Sequence, residues 1–302
     1  MEVKMVCRSY FQPNSIRETI DILARFRGNA RIIAGGTDLV IELKTQKRKV
    51  EALVDISKVE GLSDIKIDGN MLHLGAMVTH TQASKSDVIL KRTPVLAEAC
   101  STVGSPQIRN MGTLVGNIVN AMPAADGACA LIALCGRLRI VGEDGHERLQ
   151  PIEEVYKGPG ESLIDSTREM VTEVEFPVPT AQSGSSFQRL SRRKALSLPV
   201  LNEAVWVCLD QGLKKFEDAR IVIGPVSPLP FRAKNAENFL KGAMVTRDIV
   251  KKAALVASEE SSPRTSIRGG KEYRQQMVSV LMERAVGQAL SRIDPMFSNF
   301  MT

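Results

Sequence analysis

Ile32-Ile33-Ala34-Gly35-Gly36-Thr37-Asp38-Leu39 sets two adjacent glycines between an apolar run and a polar cluster. Glycines let backbone amides approach a ligand closely and adopt positive φ. A helix starting behind them, near Thr37 or Asp38, offers unpaired N–H groups and the positive end of its dipole. Thr37 adds a hydroxyl. This chemistry suits an anion, and a pyrophosphate fits it. The segment is neither GxGxxG nor a Walker loop, and no acidic residue stands where a Rossmann unit keeps its ribose partner. Taken alone, a Gly-Gly turn between strand and helix is most often only a turn.

A second stretch, 105–117, is richer. Gly104, Gly112 and Gly116 space a loop whose backbone can come close to a flat ligand, and Thr113 and Asn117 supply hydrogen-bonding side chains. It runs through Pro123-Ala124-Ala125-Asp126 into a helix. Asp126 has two readings: a cap for that helix, or an acceptor for ligand hydroxyls such as those of a ribose.

Other reactive side chains point to less. His73, His80 and His146 lack metal-ligand spacing; for His80 a structural role is the leading reading, with a place beside the ligand as the alternative. No metal site is expected. Cysteines at 7, 100, 129, 135 and 208 form no CxxC pair, so neither a zinc site nor a four-cysteine iron–sulfur cluster is written here. Free thiols fit a reducing, cytoplasmic location. The net charge of +6 permits nucleic-acid binding, but no zinc-finger, RRM or KH pattern accompanies it. Lys44, Lys47, Arg48 and Lys49 read as a solvated helix end, with docking to a partner subunit as the sharper alternative. The Arg192-Arg193-Lys194 run reads in the same way. Met1 to Phe11 lacks the apolar run of a signal peptide, and no stretch is apolar over a membrane-spanning length.

The elements that must hold the two loops follow from periodicity. Ser15 caps a helix with Ile16, Ile20, Leu23 and Ala24 at helical spacing, and Glu18 completes a capping-box pattern. Arg31-Ile32-Ile33-Ala34 reads as a short buried strand, and 50–56 as another. Two strands, 65–67 and 71–74, flank Asp68-Gly69-Asn70, a hairpin signal. Helices are expected at 81–86, 94–101 and 128–134, and strands at 137–141 and 170–176. The Pro-, Ser- and Gly-rich 177–186 reads as a linker. Beyond it come strands near 204–209 and 219–223, and helices near 235–240, 246–258 and 273–290.

In this order and spacing, the two loops resemble those of the FAD-binding subunit of the molybdenum hydroxylases, the family of xanthine, carbon monoxide and nicotinate dehydrogenases. The family's AGGT(D/H)L is Ala34 to Leu39 here. Its IRNxxTxGGN is similar to Ile108 to Asn117, with Val115 replacing the first glycine of the pair. An SPxxD-like element appears at Met122 to Asp126. Ser186-Phe187-Gln188-Arg189-Leu190-Ser191-Arg192-Arg193 is similar to (S/A)FxKxxRR, with Arg189 in place of the lysine. Arg268-Gly269-Gly270-Lys271-Glu272-Tyr273-Arg274 is similar to RxSxxYR. Gly158-Pro159-Gly160 falls where separate-subunit bacterial xanthine dehydrogenases carry a similar turn. The match covers nearly the whole chain.

The resemblance implies an α+β fold: a two-subdomain FAD-binding domain of the vanillyl-alcohol-oxidase (PCMH) type over 1–177, divided near 57, and a smaller C-terminal α/β domain of the CO dehydrogenase flavoprotein type over 186–292. It implies FAD contacts from Arg31, Ile32, Ile33, Ala34, Gly35, Gly36, Thr37, Asp38, Leu39, Val103, Thr113, Val115, Gly116, Asn117, Asp126, Val171 and Arg189. No catalytic residue of its own is implied. The implied work is electron transfer: partner subunits hold molybdopterin and [2Fe–2S] clusters, and the flavin passes electrons as hydride to NAD⁺. A xanthine or purine dehydrogenase is the expected type. A nicotinate-type hydroxylase, a stand-alone flavin oxidase of the same fold and a non-catalytic nucleotide-binding protein are the alternatives.

Overall fold

The computed structural model describes residues 7–193 and 195–300. Lys194 of the second basic cluster and the first six residues of the expected leader-free start lie outside them.

The chain opens with a small parallel sheet ordered β1-β3-β2, made of β1 (Ser9–Phe11), β2 (Ala30–Ile33) and β3 (Ala52–Asp55). Helix α1 (Ile16–Phe26) links β1 to β2, and α2 (Leu39–Lys44) follows β2. The Ser15 hydroxyl accepts the Glu18 N–H at 3.1 Å, while the Glu18 carboxylate accepts from Asn14 N–H, one residue earlier than in a standard capping box. Helix α1 buries Thr19, Ile20, Ile22 and Leu23, and the expected core residue Ala24 is exposed. Strand β2 is only half-buried, because one side of it faces a cleft.

An antiparallel sheet follows, ordered β4-β5-β10-β6-β7: β4 (Ile65–Asp68), β5 (Met71–Gly75), β6 (Arg137–Gly142), β7 (Glu147–Pro151) and β10 (Glu169–Pro177). Six helices fill the chain between β5 and β6: α3 (His80–Lys85), α4 (Asp87–Arg92), α5 (Pro94–Ser101), α6 (Pro106–Met111), α7 (Leu114–Val119) and α8 (Asp126–Ala133). Helix α4 was not expected, and 105–117 is two short helices rather than an open loop. Ser105 and Thr113 each cap one of them by accepting an N–H three residues on. A two-stranded ribbon, β8 (Tyr156–Gly158) and β9 (Glu161–Ser162), precedes β10.

The third sheet runs β11-β12-β13-β14: β11 (Ser183–Leu190), β12 (Leu201–Leu209), β13 (Phe216–Gly224) and β14 (Phe231–Arg232). Helices α9 (Lys234–Leu240), α10 (Arg247–Glu260) and α11 (Lys271–Ile293) cover one face of it. The expected linker therefore shrinks, since 183–186 is strand. Its small residues serve packing. A Cβ on Gly184 would stand 2.0 Å from the Ala289 carbonyl oxygen of α11, and Ser186, fully buried, donates to the Ala285 carbonyl at 2.8 Å. Glycine and serine let the helix lie directly on the strand.

One apolar core spans the first two sheets and takes in Phe187, Ala204 and Val222 from the third. A second core lies between the third sheet and α9–α11. Along β12 the side chains alternate between the two, as strand geometry requires. Leu201, Val205, Val207 and Leu209 face the helices, and Asn202 and Ala204 face the first core.

Candidate functional site

The two glycine segments meet. A Cβ on Gly35 would lie 1.9 Å from the Met111 carbonyl oxygen, so only glycine allows the first loop to press against the second. Gly36 follows in the left-handed region with φ +66°, which turns the chain into α2. The second loop is tied in turn to the start of α3: His80 N–H donates to the Gly112 carbonyl at 3.0 Å, and Leu114 N–H to the Val78 carbonyl at 3.0 Å.

Between these loops, β8–β9 and the non-strand segment 163–168 that leads into β10 lies an open cleft of about 750 Å³. That is the volume range of a cofactor or drug-sized ligand, roughly 300–1,000 Å³. Arg31, Ile32, Ile33, Ala34, Gly35, Gly36, Thr37, Asp38, Leu39, Val103, Thr113, Val115, Gly116, Asn117 and Val171 all line it. The fold thus gathers residues as far apart in sequence as Arg31 and Val171 on one surface.

Asp126 and Arg189 are not among the lining residues. Arg189 Nε donates to Asp126 Oδ2 at 3.1 Å, and both side chains are buried. Thr102 donates to the same carboxylate at 3.1 Å, and Asn202 to its other oxygen at 2.5 Å. Burial pushes the Asp126 carboxyl up, against the opposing pull of Arg189, Asn202 and Thr102. The two residues expected at the flavin are engaged with each other across the junction of the two cores. Asp126 is the first residue of α8 and makes no capping hydrogen bond.

Val115, the departure from the family's paired glycines, lies in α7 with no left-handed backbone, is buried and lines the cleft. A side chain is tolerated there because the conformation is helical.

The cleft also includes His80, for which a structural role is the leading expectation from sequence, and residues that the sequence did not single out for it: Glu42, Arg48, Lys157, Glu161 and the run 162–166. Arg48, expected in a solvated basic cluster, instead pairs with Glu42 at 2.7 Å at the cleft's edge. Ile32 N–H donates to the Ser166 carbonyl at 3.1 Å, which brings 162–166 alongside β2. That contact joins segments more than a hundred residues apart, and no local pattern announces it. Gly160, from the Gly158-Pro159-Gly160 turn, lines the cleft with φ +77°.

The electrostatics of the cleft are mixed. Arg31 forms no ion pair among the described residues, and burial and nearby Arg48 lower its guanidinium from the ordinary value. Burial raises the Asp38 carboxyl. Burial, together with Arg109, lowers the His80 imidazole to about 4, so it is uncharged near neutrality. Two buried polar atoms at the cleft have no hydrogen-bond partner: His80 Nδ1 and Asn117 Oδ1. Native buried polar groups are nearly always paired, so orphans of this kind point to a ligand or water.

Elsewhere, His73, Glu173 and Glu175 approach closely enough to hold a metal ion. Arg139 already donates to Glu173 at 2.8 Å and to Glu175 at 2.7 Å, and Arg137 to Glu175 at 2.6 Å. Two guanidiniums neutralise the two carboxylates, so the cluster is an ion-pair ladder on the sheet.

Glycine loops pressed together, an arginine with no ion pair among the described residues and an open cleft with both polar and apolar walls suit a phosphate-bearing aromatic cofactor. Comparison with known proteins specifies the class. Residues 3–179 match the FAD binding domain in molybdopterin dehydrogenase, and residues 186–289 match the CO dehydrogenase flavoprotein C-terminal domain. The chain belongs to this family and is an FAD-binding subunit of the molybdenum hydroxylase type. It is 29% identical to the nicotinate dehydrogenase FAD-subunit of Eubacterium barkeri, over 94% of this chain and 97% of that one. It is 28% identical to the xanthine dehydrogenase FAD-binding subunit of Escherichia coli O157:H7, over 94% of this chain and 96% of that one. Among solved structures, carbon monoxide dehydrogenase from Hydrogenophaga pseudoflava superposes with a TM-score of 0.87 at 28% identity, covering 95% of this chain and 98% of that chain. The residues present fit FAD: the glycine cradle excludes any side chain at Gly35, and the orphaned Asn117 and His80 atoms lie where the second loop borders the cleft.

Proposed function

We propose that this chain relays electrons from the [2Fe–2S] clusters of a partner subunit to NAD⁺, in a complex whose large subunit holds molybdopterin and oxidises a purine of the xanthine type. The observation that carries the reading is the single cleft in which both glycine segments and Val171 converge. FAD, when bound, supplies the exchange between one-electron and two-electron transfer.

The chain's own residues bind and orient the cofactor. Backbone amides of Gly35 and Gly36 would approach the phosphates, with Arg31 as the counter-charge; Gly116, whose N–H is taken by the Thr113 hydroxyl, would border the ligand without donating to it. The Thr37 and Thr113 hydroxyls and the Asn117 amide add directional hydrogen bonds. Ile32, Ile33, Ala34, Leu39, Val103, Val115 and Val171 cover apolar surface. Asp38 closes the first loop. We assign Asp126 and Arg189 to the domain junction behind the cleft, where their mutual ion pair supports its walls.

The relay reading is favoured over a stand-alone oxidase because relatives across the whole length of the chain are named as FAD-subunits, medium chains or complex subunits. A nicotinate-like heterocycle is supported as the partner's substrate as well as a purine is, at 29% against 28% identity. No helix among the described residues is long and apolar enough to cross a membrane. A reducing cytoplasm is the compartment this reading assigns.

The test is to purify the chain with its native partner subunits and add NADH without oxygen. Bleaching of the flavin band supports NAD⁺ as acceptor. A complex that leaves NADH unoxidised but is reduced by its heterocycle refutes the acceptor. A chain that never co-purifies with an iron–sulfur subunit refutes the relay.

A further inference from the structure

A second cavity, of about 490 Å³, is lined by Arg192, Arg193, Leu196, Ser197, Leu198 and Arg268. Two segments build it: the 191–200 loop between β11 and β12, and the turn 266–269 before α11. Paired backbone hydrogen bonds between Ser266 and Gly269, at 3.0 and 3.1 Å, close the turn. The buried Arg274 of α11 donates to Ser266 Oγ at 2.6 Å and to the Pro225 carbonyl at 3.3 Å. Ser266 Oγ also accepts the Arg268 N–H at 3.2 Å, so the turn that carries Arg268 is anchored from behind. The loop is held as firmly. Arg193 Nη2 donates to the Leu196 carbonyl at 2.8 Å, Arg189 donates to the Ser197 carbonyl, and Leu196 N–H donates to the Gly104 carbonyl at 3.1 Å. Leu196 is fixed at φ +50°, a left-handed conformation that leucine rarely adopts. Backbone strain of this kind collects at ligand clamps.

The positive charge of this cavity is not compensated. Among the described residues, no carboxylate lies within ion-pairing distance of Arg192, Arg193 or Arg268. Arg274 behind them is in the same position: burial, then Arg268 and Arg264, lower its guanidinium, and its buried Nε has no hydrogen-bond partner. Like charges so gathered repel one another, and an anion seated among them relieves the repulsion. Guanidiniums suit phosphate oxygens best, through forked hydrogen bonds. One phosphate monoester carries roughly −1.5 to −2 charges, so three guanidiniums call for more than one phosphate. Leu196 and Leu198, 63% and 53% exposed, supply an apolar wall that an inorganic ion leaves uncovered. The volume lies in the range of organic ligand pockets, roughly 300–1,000 Å³.

We propose that this cavity is a second anion site, separate from the glycine-loop cleft: it takes the pyrophosphate group of a nucleotide between Arg192, Arg193 and Arg268, with Leu196 and Leu198 against the organic part. The hydrogen bond from Leu196 to Gly104 pins the loop beside Val103, which lines the cleft. Two sources carry this chemistry, a nucleoside diphosphate and a nicotinamide dinucleotide. The second rests on the proposed relay to NAD⁺; the site itself does not.

The test uses the full chain, loaded with FAD and freed of the excess, titrated calorimetrically with inorganic pyrophosphate and, at matched ionic strength, with phosphate. Wild type is expected to bind one pyrophosphate per chain, at least about tenfold tighter than phosphate. Arg268→Gln and the double variant Arg192→Gln/Arg193→Gln should each weaken pyrophosphate at least about tenfold, with flavin content unchanged and the unfolding temperature no lower. ADP and NAD⁺ are then added as competitors. Displacement by ADP alone names a nucleoside diphosphate as the source, displacement by NAD⁺ names the dinucleotide, and both uphold the site. Absence of saturable binding, pyrophosphate held no better than phosphate (an adventitious ion only), wild-type affinity in both arginine variants, or no displacement by either nucleotide would overturn the proposal. Loss of flavin in the arginine variants would overturn the separation of the two sites. If Arg268→Gln does not fold, the double variant decides. A wild-type chain that takes up no FAD overturns the assignment of the cleft instead, and the same pyrophosphate titration of the unloaded chain still decides this site.

Discussion

Arg189 Nε stands 3.1 Å from Asp126 Oδ2, and this buried ion pair joins the first residue of α8 to strand β11. Arg189 also donates to the Ser197 carbonyl, and the next residue back, Leu196, donates its N–H to the Gly104 carbonyl beside the cleft-lining Val103. The pair therefore braces one wall of the cleft from behind. Burying a charge without its partner is costly, whereas removing both together is far less so. Asp126→Asn or Arg189→Met alone should lower the unfolding free energy of the apoprotein by roughly 3–5 kcal/mol. The double variant should lose clearly less than the sum, and additive losses in denaturant titrations would show that the two do not act as a pair.

Gly35 makes a sharper demand on shape. A methyl there collides with the Met111 carbonyl oxygen at 1.9 Å, and that atom is backbone and cannot rotate aside. Gly35→Ala should force the loops apart and leave a folded chain that keeps under about a tenth of wild-type flavin after desalting, a loss of more than about 1.4 kcal/mol in binding. Full flavin content in a folded Gly35→Ala protein would mean that the loops do not close as described.

Glu203 predicts a dependence on pH. It is fully buried on β12 on the side of the helices, and neither carboxylate oxygen has a hydrogen-bond partner. Burial holds its carboxyl well above the usual range. The unfolded chain releases this proton near pH 4.3, about the ordinary value, while the folded chain keeps it. The stability is complete below that pH and falls as pH rises toward the folded value, by up to about 1.4 kcal/mol per unit. Glu203→Gln should flatten the stability profile at pH values above the unfolded carboxyl value of about 4.3. Parallel profiles for wild type and Glu203→Gln would contradict this.

How much could be read in the sequence depended on range. Local grammar was legible: Ser15 with Glu18 marked α1, Asp68 with Gly69 marked the β4–β5 hairpin, and the helix expected near 273–290 falls within α11. The 183–186 stretch misled, because glycine and serine have two uses. They loosen a linker, and they also let a helix lie on a strand, as Gly184 does under Ala289. The second loop misled in the same way, since Thr113 and Ser105 are helix caps as much as ligand donors.

At the site, the glycine loops and Val171 were found through local motifs and family likeness, and they share the cleft. Asp126 and Arg189 carried the same likeness, yet they meet each other and do not line it. Arg48 and 162–166 reach the cleft through tertiary contacts, such as Ile32 N–H to Ser166, that no short window of sequence can encode.

The most direct measurement is a flavin titration of the stripped full chain followed by visible absorption. One FAD per chain, with the shifted flavin bands of a bound isoalloxazine, is the result expected if the cleft between Gly35 and Asn117 is the cofactor site. A properly folded wild-type chain that shows no saturable binding of FAD would contradict the account at its centre.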